Sequence, residues 1–190
     1  MTSPVIVIVP YREAWPEAYR QIAGLLRAAA GEGILAIHHI GSTAVPGLAA
    51  KDVIDIQITV ADLAAESERP IEGAGFRRSR HLSDHCPPGL SLPAEELAKR
   101  FYNFDGRPAN VHVRQAGRFN QRYPLLCRDY LRAHPGAAAA YGEIKGQLAA
   151  RFPDDVEAYY DIKDPVFDLI MAGAEDWAWA VGWTPPTAED

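Results

Sequence analysis

The apolar positions of the chain change period along its length, and the changes mark out its elements. Val5–Val9 is β-branched throughout, which predicts a strand covered on both faces. After Pro16, Tyr19, Ile22, Leu26 and Ala29 recur at helical spacing up to Gly31, an amphipathic helix opened by proline and stopped by glycine. The runs ILAIHHI (34–40) and DVIDIQITV (52–60) predict two further strands broken by a Gly41–Ser42 turn. In the second of these, Ile54, Ile56 and Ile58 share one face, so Asp55 and Gln57 share the other. Asp62 is placed to cap a short helix, and Pro70 to restart a second one ending at the Gly73–Gly75 pair. Residues 78–93 show no period and contain three prolines, the composition of a loop. The stretch KRFYNFDGRPANVHVR (99–114) reads as two strands joined at Asp105–Gly106, with Pro108 lengthening the connection. From Arg118 onward the pattern is helical in four segments, starting at Pro124, Pro135, Asp154 and Asp164, each opened by Pro or Asp. This order predicts an α+β fold, a mixed β-sheet flanked by helices with a helical C-terminal half.

Composition narrows the picture. At 190 residues and 48% apolar, the chain can bury one substantial core. It reads as a single domain over 1–190, with a sheet-containing core at 1–117 and a helical portion at 118–190 packed on it. A net charge of −6 gives no basic face for nucleic acid or an anionic membrane, so neither is expected as a partner. Cys86 and Cys127 are too few and too far apart for a disulfide framework or a C-x-x-C motif, and no apolar stretch is long enough to span a bilayer. With an N-terminal apolar run too short for a signal peptide, a cytoplasmic location is expected.

The chemistry starts from Asp55. A carboxylate within a buried strand costs several kcal/mol unless it is paired. One answer is a divalent ion, since Asp55 and Gln57 at a spacing of two residues present two oxygens to magnesium or manganese. The other is an ion pair with Lys51 or Arg114. Upstream, the backbone and hydroxyl of Gly41 and Ser42 can hold a phosphate. His39 and His112 on predicted strands are candidate contacts, with an ordinary internal hydrogen bond as the alternative. His81, Asp84, His85 and Cys86 in the aperiodic loop suggest zinc, but no second cluster has the spacing a zinc site needs. Lys145 and Lys163 can reach an anion from the helical half, although a solvated lysine is the commoner fate. Arg128 and Asp129 form a candidate interior ion pair. Trp177, Trp179 and Trp183 are expected to pack the last helix onto the body or to form a homodimer patch.

The segments WPEAYRQIAGLL, HHIGSTAVPGLAAKDVIDIQITV, NVHVR, RDYLRAHPGAAAAYGEIKGQLAARF and YYDIKDPVFDLI together resemble the GrpB family, a group placed in the nucleotidyltransferase superfamily with DNA polymerase beta. The resemblance implies a bacterial protein that binds a phosphorylated small molecule, a nucleotide with Mg2+ or Mn2+, and transfers a nucleotidyl group to a hydroxyl or amine. It makes Gly41 and Ser42 the phosphate turn and Asp55 the first metal ligand. Gln57 stands where the superfamily has a second acid, and Asn110 and His112 lie on the strand that normally supplies a third. Tyr160 and Lys163 fall in a family motif and join His39, Lys51 and Asn110 as expected substrate contacts. Two-metal phosphoryl chemistry needs several carboxylates to hold its cations together. The departures therefore leave two forms, a single ion completed by substrate phosphates or a pocket that binds without transferring. An interaction protein working through its Trp-rich C-terminus is the reading from a different class.

Overall fold

The structure, a computed structural model, describes residues 5–30, 33–64, 69–104 and 106–187. Helix α1 (Trp15–Ala30) precedes strands β1 (Ile34–Ile40) and β2 (Ile54–Val60). A short helix α2 (Arg69–Gly73) leads into β3 (Phe76–Arg78), β4 (Arg100–Phe104) and β5 (Ala109–Gln115). Three helices close the chain: α3 (Phe119–Ala133), α4 (Pro135–Arg151) and α5 (Val156–Val181). The strands form one mixed sheet in the order β1-β2-β5-β4-β3, in which only β2 and β5 run parallel.

Strand alternation gives the sheet two unlike faces. Ile37, Ile54, Ile56, Ile58, Val111 and Val113 pack with Trp15, Tyr19, Ile22 and Leu26 of α1 into the main core. The opposite face carries polar side chains in register: Asp55 lies beside Asn110, Gln57 beside His112, and Thr59 beside Arg114. Helix α3 covers this polar face, and its Gln121 carbonyl accepts a hydrogen bond from the Gln57 side-chain amide at 2.9 Å. Leu126 and Cys127 of α3 pack with Met171, Ala174 and Ala178 of α5. Arg128 is the interior cation expected, held by Asp129 at 2.8 Å, and it also donates to the His39 carbonyl at 3.0 Å, fastening α3 to β1.

Several elements differ from the sequence expectation, each for a physical reason. Val5–Val9 lies outside the sheet. Ile6 alone is buried, against Leu148 and Tyr159, while Val5 and Val7 are exposed and Val9 makes a single bridge to Ala50. An unbroken β-branched run favours extended backbone without naming its partner. β3 is too short at three residues to show a period. Helix α3 starts at Phe119 and carries Pro124 inside it, because Glu96, distant in sequence, accepts the Phe119 N–H at 2.7 Å and pairs with Arg118 at 2.8 Å. The last two predicted helices are one, α5, running through Pro165. Pro165 and Asp161 are both exposed, so the carbonyl deprived of its donor is left to water. Trp177 and Trp183 pack against the body, but Trp179 is 90% exposed. The helix expected after Asp62, the stop at Gly31 and the turn residue Asp105 lie wholly or partly outside the described residues. No helix among the described residues is long and apolar enough to cross a membrane.

His39 faces the main core. Its ring stacks on Tyr19 with centroids 4.8 Å apart, and its Nε2 meets the Thr43 hydroxyl at 2.9 Å. Burial, reinforced by Arg132 and Arg128, brings its pKa down to about 3. The unfolded chain therefore takes up a proton near pH 6.5 that the folded chain refuses, so the stability His39 provides is full above pH 6.5 and is lost as pH falls toward 3. Urea unfolding should record a His39-dependent loss of roughly 2 kcal/mol between pH 7 and pH 5. The His39→Phe variant, which keeps the stacking, should lack that component.

Candidate functional site

Between the polar face of the sheet and the three C-terminal helices lies a cavity of about 420 Å³. The turn after β1 forms one lip. Gly41 holds φ 71°, and a Cβ built there would sit 2.6 Å from Asp55 Oδ2. Only glycine lets this turn pass so closely over the carboxyl group. Ser42 follows, and its hydroxyl accepts a hydrogen bond from Lys145 Nζ at 2.7 Å.

Asp55 projects from β2 into the cavity, where Asn110 of β5 donates to its Oδ1 at 2.9 Å. Asn110 is oriented in turn by Asn103 of β4, which donates to its Oδ1 at 2.9 Å. Burial raises the Asp55 pKa, only partly offset by the Asn110 hydrogen bond and the charges of Lys51, Lys163 and Arg114. Neither cation weighed from the sequence bonds to it. Lys51 donates to the Tyr160 hydroxyl with its ammonium 4.6 Å from that ring centroid, and Arg114 belongs to Asp84.

Arg114 holds Asp84 in two hydrogen bonds of 2.9 and 3.0 Å, and Lys99 adds a third contact at 2.6 Å. Burial alone would raise the Asp84 pKa, but Arg114 and Lys99 outweigh it and hold the group well below the usual carboxylate range. The same guanidinium donates to Gln57 Oε1 at 2.7 Å and to His112 Nδ1 at 3.2 Å. A guanidinium only donates, so Nδ1 accepts and the His112 proton sits on Nε2. Burial together with Arg114 and Lys99 keeps that ring neutral.

Gln57 is therefore corrected. It shares the face of Asp55 as its strand position requires, but it is fully buried, is absent from the cavity lining, and has both ends of its amide engaged by Arg114 and the Gln121 carbonyl. His39 also lies behind the wall. The remaining expected residues, Gly41, Ser42, Lys51, Asp55, Asn110, His112, Tyr160 and Lys163, line the one cavity. The loop residues weighed for zinc disperse: Asp84 to Arg114, His85 to Asp168 at 2.9 Å, and the Cys86 thiol to the Leu90 carbonyl at 3.5 Å. Among the described residues no three carboxylate, imidazole or thiol groups gather as a metal cluster. With Gln57 spent and three cations acting on Asp55, these residues do not fit a protein-held divalent ion.

Lys145, for which a solvated position was the commoner expectation, is buried in the cavity wall instead. Lys145 is 2% exposed, donating to Ser42 Oγ and to the Ala49 carbonyl at 2.6 Å. Ala138, Tyr141, Lys145 and Leu148 are all buried at helical spacing on α4, and a lysine inside an apolar stripe was the available signal. Lys163 pairs with Asp164 at 2.9 Å and lies 5.3 Å from the Tyr160 centroid, so that ring sits within reach of both Lys51 and Lys163. Burial pulls the Lys163 pKa down, but Tyr141 and Asp164 more than compensate and raise it. The chain has four lysines, at 51, 99, 145 and 163, and every one lines this cavity. Phe101, Tyr123, Tyr141, Tyr159 and Phe167 supply aromatic walls.

The family model described as GrpB protein matches residues 5–172. The chain belongs to the GrpB family. A crystal structure of the conserved protein GrpB from Enterococcus faecalis is 30% identical, with a TM-score of 0.76 over 91% of this chain and 99% of that one. Its α+β architecture is the one described above. The UPF0157 protein SCO7215 of Streptomyces coelicolor is 32% identical over 86% of this chain and 81% of its own length. A dephospho-CoA kinase of Mycolicibacterium paratuberculosis is 38% identical over 96% of this chain, but this GrpB-family chain spans only 49% of that relative.

Replacing Arg114 by Met leaves Asp84 with Lys99 and Asn120 but takes away its two guanidinium hydrogen bonds and the donor to Gln57 Oε1, and should lower stability by about 1–3 kcal/mol in urea unfolding. Gly41→Ala, strained by its positive φ and colliding with Asp55, should cost about 1–3 kcal/mol by the same measurement.

Proposed function

We propose that this GrpB-family protein binds a phosphorylated small molecule, of nucleotide size, in the cavity over Asp55. The observation that carries the reading is the convergence of all four lysines of an acidic chain on one aromatic-walled hollow. Five cationic side chains (Lys51, Lys99, Lys145, Lys163 and Arg114) face three carboxyl groups (Asp55, Asp84 and Asp164) there. Asp84 and Asp164 are already taken by cations, so the surplus favours an anionic guest. Lys51 and Lys163, both within reach of the Tyr160 ring, suit a phosphate lying over the Gly41–Ser42 turn, with Lys145 fixing the Ser42 hydroxyl. The aromatic walls suit a flat group such as a base.

The nucleotidyltransferase-like superfamily is supported by the order of a Gly-Ser turn followed by a strand bearing Asp55. Nucleotidyl transfer itself draws less support, since Asp55 is the one carboxyl group in the cavity without a cation bonded to it. Neutralisation of the phosphate accordingly falls to lysine instead of a divalent ion, and the reading is of a binding pocket. The similarity to the dephospho-CoA kinase of Mycolicibacterium paratuberculosis brings dephospho-CoA into the set of ligands to try.

Titration calorimetry with nucleoside mono-, di- and triphosphates and dephospho-CoA tests this. At least one should bind with a one-to-one stoichiometry that survives excess EDTA. Lys163→Gln or Lys51→Gln should weaken it about tenfold or more, equivalent to ~1.4 kcal/mol. No binding by any of them, or binding indifferent to both substitutions, overturns the reading.

A further inference from the structure

We infer that Lys145 is a nucleophilic amine that forms an imine with a phosphorylated aldehyde or ketone held in this cavity, an assignment that rests on the phosphate reading above. Lys99 and Lys163 are each bonded to a carboxylate, Asp84 and Asp164. Lys145 bonds only neutral oxygens, the Ser42 hydroxyl and the Ala49 carbonyl. Two acceptors match the two hydrogens of a neutral amine and leave its lone pair unclaimed. The charged groups acting on it come from every side: Lys163 on α5, Lys51 after the turn and Asp55 on β2. Its own helix contributes the Tyr141 ring, 4.6 Å away. Burial, assisted by Lys163 and Lys51 against the opposite pull of Asp55, brings the Lys145 pKa to about 7. A large share of free amine is therefore present at neutral pH.

Asp55 completes the chemistry. Its pKa is raised by burial, so it can carry a proton. The Lys145 nitrogen attacks the carbonyl carbon, forming a C–N bond, and a proton passes from nitrogen to the carbonyl oxygen to give a carbinolamine. Asp55 then protonates the carbinolamine hydroxyl, which leaves as water while the nitrogen lone pair closes the C=N bond. The result is one iminium facing one carboxylate, with one water released and no oxidant or reductant required. The phosphate of the guest rests between Lys51 and Lys163, and the aromatic walls accept the group attached to the carbonyl.

The test uses the intact protein and pyridoxal 5′-phosphate, a phosphorylated aromatic aldehyde, as probe. Imines are trapped with cyanoborohydride near pH 7.5 and located by peptide mass mapping. The chain offers only four ε-amines to choose among. One adduct at Lys145 is expected, formed about tenfold or more faster than with pyridoxal lacking the phosphate and lost in Lys145→Arg. Mapping on the unaltered protein keeps the result independent of whether that variant folds. Adducts at Lys51, Lys99 or Lys163 ahead of Lys145 overturn the assignment. If the Lys145 adduct forms equally fast from both aldehydes, the amine stands and the phosphate reading falls. If a nucleotide binds by calorimetry while Lys145 resists trapping, the phosphate reading stands and the amine falls.

Discussion

Arg114 enters the interior from β5 with 6% of its side chain exposed, and a cation so placed has to be met on every side. It is met by Asp84 from the loop before β4, by Gln57 from the neighbouring strand and by His112 two residues back on its own strand. Each partner is tied further on: Asp84 to Lys99 and Asn120, Gln57 to the Gln121 carbonyl. The loop, the sheet and α3 are therefore joined through one guanidinium. The position of the cavity wall follows from that junction. Asp84 in particular is brought to the cavity by Arg114 together with the backbone pairing of its loop to the segment before β4, where Asp84 donates to the Leu97 carbonyl at 2.9 Å and Ser83 bridges Ala98.

Much of this was legible in the sequence because alternation along a strand is strict. Ile54, Ile56 and Ile58 could face the core only if Asp55 faced away from it, and the turn at Gly41–Ser42 had to return close to Asp55. Where the reading failed, the deciding partner was distant. Gln57 was placed on the correct face, but whether it met an ion or a guanidinium depended on Arg114, 57 residues on. Helix α3 starts where Glu96 caps it, and no local signal near Phe119 says so. Pro165 looks like a boundary and is not one, since an exposed proline leaves its orphaned carbonyl to solvent. Strand and helix periods report burial within an element and are silent about contacts between elements.

The lysines were legible in a different way. Taken singly, each is an ordinary residue on a helix or just before a strand. The chain has 19 basic residues, of which only four are lysine, so its surface cations are almost wholly arginine. That all four lysines meet in one place becomes visible only when the fold is known. The choice of residue nevertheless has a physical basis. A guanidinium keeps its charge under any burial, whereas an ammonium gives up its proton when the cost of staying ionised grows too high.

Four ammonium groups and a guanidinium confined within one hollow would repel one another strongly if all stayed charged beside so few free carboxylates. The cavity avoids that state from both directions. Burial pushes Asp55 toward its protonated form and Lys145 toward its neutral amine, while Asp84 and Asp164 neutralise Lys99 and Lys163. Arginine stands only where a partner carboxylate is permanent, at Arg114 against Asp84. Of the lysines, Lys145 is the one bonded to neutral oxygens and brought by burial to a pKa of about 7, so its charge is the one free to vary near neutral pH. The burial that spares the cavity this repulsion is also what leaves Lys145 with a usable lone pair.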